Sequence, residues 1–368
     1  MKKILLSATL LLTVATFAQK EELKTLKKIY TKSSISEKDL VEYKTASTAL
    51  TAIASEQSDK VYAKFYSVMY PTIVLASKGD KATPMDQMKL YTPEFILEYG
   101  TTINETLEFE KKSGNKLYTD DLIKEKKDFS EGLKTMAFKL NEASKFKEAS
   151  AMFYSLYLFD KKNEGNALEN AAILAVQSED YVFAEKIYEE YKNSDYLENG
   201  ITYFATNKAT DIEETMPSKE YRLKMIGLGS HEKSREEKNA LKKPDVFKVY
   251  ALIVGQNGNL EKSLKAYEDA IVLNPLDESL KISAAQLYFN EGYKALAEDE
   301  KLVTDINANL NNKTKYDELI QKRKSLFKTN LPLFEKAYSL NPKDENTKQI
   351  LKMSYDILEI KEKTTVLK

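Results

Sequence analysis

The chain has 368 residues, 31% of them charged, with 56 basic against 57 acidic side chains, one His, no Cys and no Trp. The missing cysteine excludes disulfides, thiolate metal sites and a Cys nucleophile, and interspersed charges at a net −1 exclude a nucleic-acid footprint or a polybasic membrane patch. Only 11 Gly and 8 Pro punctuate the length, so long helices are expected.

The first residues, MKKILLSATLLLTVATFAQ, place Lys2 and Lys3 before an apolar run from Ile4 to Val14 and small residues before Gln19. This pattern predicts a cleavable signal peptide over 1–18, cut after Ala18, because the run is too short to span a bilayer. With no cysteine to lipidate, the mature chain is expected in the periplasm, not as a lipoprotein and not inserted in a membrane.

Residues 19–115 read as degenerate helical repeats. A short Lys-rich helix is expected to end near Ser33. Ser36 and Asp39 form a capping box ahead of a helix carrying Leu40, Tyr43, Ala46, Leu50 and Ile53 at helical spacing. A second helix places Tyr62, Phe65, Tyr66 and Met69 on one side, and Pro71 is expected to kink or end it. A loop with a short helix follows to Pro93, then a helix closed by Gly114.

Between 116 and 193 the spacing becomes regular. A long helix is expected from Tyr118 to about Ala143, partnered by KEASAMFYSLYLFD, and GNALENAAILAVQSEDYVFAEKIYEEYKN reads as a second pair. The segment 194–243 breaks the pattern: a small β-hairpin around NKATD, a short helix, and a charged loop, SHEKSREEKNALKK, that holds His231.

The clearest repeat runs from Pro244 to Pro275. Phe247, Tyr250, Ala251, Val254, Gly258, Leu260, Tyr267, Ala270 and Pro275 fall at positions 4, 7, 8, 11, 15, 17, 24, 27 and 32 of a 34-residue helix-turn-helix unit. Small Ala251 and Ala270 mark where two antiparallel helices touch, Gly258 the turn and Pro275 the stop. That is the tetratricopeptide spacing. One such unit cannot bury its own apolar face, so the rest of 244–368 is expected to stack on it. There, residues 277–306 read as one unbroken helix and 315–342 as its partner, restarted or kinked at Pro332. A final helix over 343–360 caps the array. The fold expected is all-α: a right-handed tetratricopeptide-repeat solenoid of antiparallel helix pairs with a small β-hairpin insertion.

The export signal ending FAQ, the insertion TYFATNKATDIEETMPSKEYR and the lengthened pair ending LPLFEKAYSLNPKDENT resemble exported tetratricopeptide-repeat proteins of Bacteroidota-type bacteria. The resemblance implies an envelope location and a binding role, and brings no catalytic residues.

Direct inspection for chemistry agrees with that. His231 is expected to be an exposed loop residue. Four Ser-x-x-Lys spacings, at Ser113, Ser144, Ser230 and Ser325, lack the companion motif of the hydrolases that use such a pair. DKKNEGN at Asp160 has Ala171 where a calcium loop needs Glu. No catalytic, cofactor or metal residue is expected. The tetratricopeptide family lines its inner groove from the first helix of each pair. Matched positions here are Lys134, Phe138 and Asn141; Asn166, Glu169, Ile173 and Gln177; and Asp245, Lys248, Leu252 and Gln256. The function expected is a non-catalytic scaffold binding a protein or peptide partner in the cell envelope. The alternatives are a soluble binding protein for peptides or sugars and, third, a serine hydrolase.

Overall fold

A computed structural model describes residues 20–366 apart from 115; the expected signal peptide lies outside the described residues. The chain divides into two compact units, one through Asp180 and one from Tyr181.

The first unit is helical throughout: α1 (20–30), α2 (Glu37–Ile53), α3 (Gln57–Ser77), α4 (Pro84–Leu90), α5 (Pro93–Ser113), α6 (Thr119–Glu142), α7 (Phe146–Phe159) and α8 (Gly165–Gln177). The capping box forms as expected, Asp39 N donating to Ser36 Oγ at 3.2 Å and Ser36 N to Asp39 Oδ2 at 2.9 Å. Gly114 ends α5 at φ 71°, the left-handed region that favours glycine. Pro71 does not end α3, which runs six residues beyond it to Ser77. The burial of Tyr66, Met69 and Ile73 along one face holds the helix across the lost amide.

Tyrosines build this core. Tyr43, Phe65, Tyr66 and Tyr118 are buried, and Tyr43 Oη donates to the Tyr66 carbonyl at 2.9 Å. Buried Glu110, near the end of α5, accepts from Tyr62 Oη at 3.0 Å and from Tyr118 N at 2.9 and 3.1 Å, so one carboxylate ties α3 to α5 and satisfies the start of α6. α7 packs on α6 and α8 through small residues: Ala149, Ala171, Ala172 and Ala175 are fully buried, and Ser150 Oγ donates to the Ala171 carbonyl at 2.7 Å.

The second unit begins with α9 (Tyr181–Lys192) and α10 (Asp195–Asn199). Strands β1 (Ile201–Asn207) and β2 (Ile212–Met216), helix α11 (Lys219–Gly227) and strand β3 (His231–Lys238) follow. Then come α12 (Lys243–Asn257), α13 (Leu260–Leu273), α14 (Glu278–Ala295), α15 (Asp299–Ala308), α16 (Lys313–Leu340), α17 (Glu345–Ile357) and α18 (Lys361–Val366). α12 packs directly on α9, with Asn257 Nδ2 donating to the Tyr181 carbonyl at 3.0 Å. The residues between these two helices are therefore an insertion into a continuous stack.

The expected hairpin forms as β1 and β2 and the expected short helix as α11, but the stretch expected to be a charged loop is a third strand, giving an antiparallel sheet in the order β2-β1-β3. Nothing in HEKSREEK favours a strand; what decides it is that β1, with Ala205 and Thr206 buried, needs a partner for its second edge. The charges suit an edge strand. Arg235 lays its guanidinium 3.9 Å from the Phe204 ring centroid and pairs with Glu213 at 2.8 Å. On α11, Arg222 sits 5.0 Å from the Tyr203 ring centroid and reaches Glu236 at 2.7 Å.

The repeat at 244–275 forms as its spacing predicts. Ala251 and Ala270 are fully buried, and Gly258 ends α12 at φ 77°. Asn274 Nδ2 donates to the Pro244 carbonyl at 2.8 Å, joining the end of α13 to the start of α12. The expected single helix over 277–306 is broken by a 3-10 turn at Leu296–Glu298. Leu296 joins the Phe327, Phe334, Leu351 and Tyr355 cluster while Leu302 and Ile306 pack with Leu319, so the turn lets one segment serve two cores. Asp299 opens α15 and receives Arg323 at 2.7 and 2.9 Å. α16 runs unbroken through Pro332, and α18 follows the helix expected to be last.

Candidate functional site

The second unit carries a concavity between α12 and α14, floored by α13. Leu252, Gly255 and Gln256 fall on one face of α12, Ile282, Ser283, Gln286 and Leu287 on the facing side of α14, and Tyr267 closes the bottom; together they bound about 420 Å³. Gly255 shapes the floor, because a Cβ there would stand 3.3 Å from the Tyr267 hydroxyl. Burial pushes the Tyr267 phenol pKa up, against a hydrogen bond with Ser283 that lowers it, so the phenol stays protonated. Among the described residues no charged one lines this concavity.

Its two walls are held at their ends. Asp277 caps α14, accepting from Ser279 N at 2.9 Å and Leu280 N at 3.2 Å, and Lys248 of α12 reaches the same carboxylate at 2.6 Å. The Lys248 contact, followed by the cap bonds, holds the Asp277 carboxyl well below the usual carboxylate range. Lys248 thus ties the two walls together, and its ammonium is engaged. Asp245 is exposed in the first turn of α12.

Of the groove positions anticipated from the sequence, Leu252 and Gln256 line this concavity, and Ile282, Ser283 and Gln286 complete it from the next repeat. Their spacing on α14 was a readable signal, but their meeting with α12 depends on how consecutive repeats stack. In the first unit, Lys134 pairs with Glu164 at 3.5 Å, and Phe138 is exposed with its ring edge-on to Phe153 at 5.2 Å. Asn141, Asn166 and Glu169 are half-buried, and Ile173 and Gln177 are exposed.

His231 is not an exposed loop residue. It is buried at the start of β3, with Nε2 3.1 Å from Glu214 Oε2 and Nδ1 3.0 Å from Ser230 Oγ. A charged segment by itself gives no sign that a sheet closes over its histidine. Ser230 Oγ also donates to the Met225 carbonyl at 3.0 Å, and Lys233, three residues on, faces Asp211 at 3.6 Å and Glu232 at 3.7 Å instead of the serine. The imidazole here braces the sheet: Glu214 also accepts from Asn207 Nδ2 at 2.8 Å, so one carboxylate gathers side chains from all three strands. Among the described residues no group of three His, Asp or Glu is placed to hold a metal, and no helix is long and apolar enough to cross a membrane.

These elements make a mostly helical chain of antiparallel helix pairs, one of which, 244–275, has tetratricopeptide spacing, with a three-stranded sheet inserted between the packed helices α9 and α12. No family model matches the chain, and no curated protein matches it. Among solved structures it is similar to a tetratricopeptide repeat protein from Parabacteroides merdae, 17% identical over 92% of this chain and 98% of that one, at a TM-score of 0.23. It is similar also to the tetratricopeptide domain of P58(IPK), 14% identical over 94% and 99% at 0.17. A third likeness is to the Cut9-Hcn1 complex of the APC/C, 12% identical over 85% and 59% at 0.19. Superposition at those TM-scores is too loose to carry a pocket or a partner across.

Proposed function

We propose that the chain is a non-catalytic scaffold of the cell envelope, exported through its N-terminal signal, that holds a segment of a partner protein between α12 and α14. The observation that carries this reading is the concavity itself: uncharged, mixed polar and apolar, on helices fixed by the Lys248–Asp277 tie. Leu252 and Ile282 are exposed on its two rims and offer apolar anchors, while Gln256 and Gln286 offer donors and acceptors for a peptide backbone. Absence of charge suits a segment read by shape and hydrogen bonding, not one recognised by its ionic groups.

The test is site-specific photocrosslinking in the native envelope with the photoreactive residue at position 256 or, as control, at exposed Glu261. A discrete adduct at 256, lost in Ile282→Glu and absent at 261, is expected. The same adducts at both positions, or adducts indifferent to Ile282→Glu, would overturn the groove. Export is tested by osmotic-shock fractionation and by the mature N-terminus, expected at Gln19.

A further inference from the structure

The first unit contains a second concavity, unrelated to the α12–α14 groove, at the junction of α3, α5 and α6. It measures about 450 Å³ and opens to solvent. Tyr91, Tyr99 and Phe129 form its apolar side. Their rings meet nearly at right angles, Tyr91 to Phe129 at 5.2 Å and 73°, Tyr99 to Phe129 at 5.0 Å and 80°, so they make a corner instead of a stack. Its polar side comes from α6, where Asp121, Glu125 and Asp128 recur at i, i+4 and i+7 and so lie along one stripe of the helix.

Among the described residues none of Asp121, Glu125 and Asp128 forms an ion pair, although Lys126 and Lys134 of the same helix do, with Asp160 at 2.7 Å and with Glu164 at 3.5 Å. Glu125, half-buried, is held by the hydroxyls of Tyr30 and Tyr99, one on each oxygen. Burial first, and then the charge of Glu125, push the phenol pKa values of Tyr30 and Tyr99 far up, so both phenols remain neutral donors. One cation, Lys124, also lines the wall, which leaves a net excess of two negative charges around an aromatic corner.

Tyr99 is buried and stacked on Phe95 at 5.5 Å, so Tyr91 and Phe129, both half-buried, are the rings that present surface beside the carboxylates. Ring surface and carboxylates around one space attract an organic cation: quadrupole and charge act in the same direction, and the rings displace water from the alkyl part. We propose that this concavity binds an alkylammonium group. The group would belong either to a lysine side chain of a partner or to a small amine, which share the same chemistry. Asp121 and Asp128, both exposed, steer and neutralise the cation at the rim; Tyr91 and Phe129 flank its alkyl part, with Tyr99 behind them.

The experiment is titration of the full chain, followed by calorimetry and by tyrosine emission, which no tryptophan obscures. The probes are choline, butylammonium, an Nα-acetyl-lysine amide, and 3,3-dimethylbutanol, the uncharged analogue of choline. Saturable binding by at least one cation, none by the alcohol, and affinity weaker by about tenfold or more in Asp121→Asn/Asp128→Asn are expected. Binding by choline or butylammonium would mark a small-amine site, and binding confined to the lysine amide a partner's side chain. No saturable binding by any of the three cations, equal binding by the alcohol, or affinity unchanged in the double variant would overturn the proposal. The two substituted carboxylates are exposed and make no ion pair, so the variant keeps its fold, which circular dichroism checks; Glu125 is left intact because it holds two buried phenols.

Discussion

Gly100 of α5 faces Phe159, the last residue of α7, so closely that a Cβ at position 100 would stand 2.3 Å from the Phe159 carbonyl oxygen. The two helices cross at that point because one of them has no side chain there. Gly100→Ala is therefore expected to force α5 away from α7 and to lower stability by about 1–3 kcal/mol. Gly132, in the middle of α6, has nothing within 4 Å of its would-be Cβ. Gly132→Ala should raise stability by up to about 1 kcal/mol through helix propensity. Denaturant unfolding of both variants reads the pair of signs, and two shifts of the same sign would refute the packing argument.

The sheet is rooted by one amide. Asn239, fully buried, donates from Nδ2 to the Tyr196 carbonyl at 3.0 Å and accepts from Thr202 Oγ1 at 2.6 Å. Its backbone N–H donates to the Gly200 carbonyl at 2.9 Å. Asn239→Ala takes away the acceptor of the buried Thr202 hydroxyl proton and one of the two donors to the Tyr196 carbonyl, which keeps Gly200 N at 3.0 Å, at an expected cost of about 1–3 kcal/mol. Hydrogen exchange should quicken in β1 and β3 and stay unchanged in α16 and α17, because only the insertion hangs from this residue.

Alkaline pH should unfold the first unit through its tyrosines. Burial raises the phenol pKa values of Tyr30, Tyr43, Tyr66 and Tyr99 far above 10, and that of Tyr118 to about 12. A folded pKa above the unfolded value means that the folded state keeps its proton where the unfolded state has lost it. The stabilisation is complete below pH 10 and falls as pH rises through and beyond that value. Tyrosinate absorbance should show an early fraction of the 23 tyrosines titrating reversibly near 10, and the remainder only together with loss of helical dichroism. Smooth titration of every tyrosine in the folded chain would contradict the buried cluster.

Ala270 lies fully buried where α13 meets α12. Ala270→Leu should overpack that contact and cost about 1–3 kcal/mol. Because α13 is also the floor of the groove, the same change should weaken any adduct formed at position 256, whereas Val272→Leu, on the exposed side of α13, should alter neither stability nor crosslinking.

The repeat at 244–275 was legible because its signal is local: alanine at a helix contact, glycine in a left-handed turn and proline at a stop each act within a few residues of themselves. The same holds for the Ser36–Asp39 capping box and the Gly114 terminus. β3 was not legible. Its residues are charged, and the strand exists because β1 needs a second partner, a demand that comes from elsewhere in the chain. His231 went with it, since a histidine is buried by what folds over it. Neither Pro71 nor Pro332 ends its helix: a proline removes one hydrogen bond wherever it stands, but whether the helix continues depends on the apolar contacts on either side.

The candidate sites divide along the same line. Leu252 and Gln256 could be placed on the inner face of one helix from their spacing, because helical periodicity is a property of the chain alone. Ile282, Ser283 and Gln286 became their neighbours only through the stacking of one repeat on the next. The corner of Tyr91, Tyr99 and Phe129 against Asp121, Glu125 and Asp128 joins residues of α5, α6 and the connection before α5, with no motif to announce it. By itself the sequence determined the helix pairs and the faces they bury, since side-chain period and backbone preference decide those locally. Which faces meet, which edge is paired and which charges are left without a partner were decided by the tertiary structure, because each depends on contacts between residues far apart in the chain.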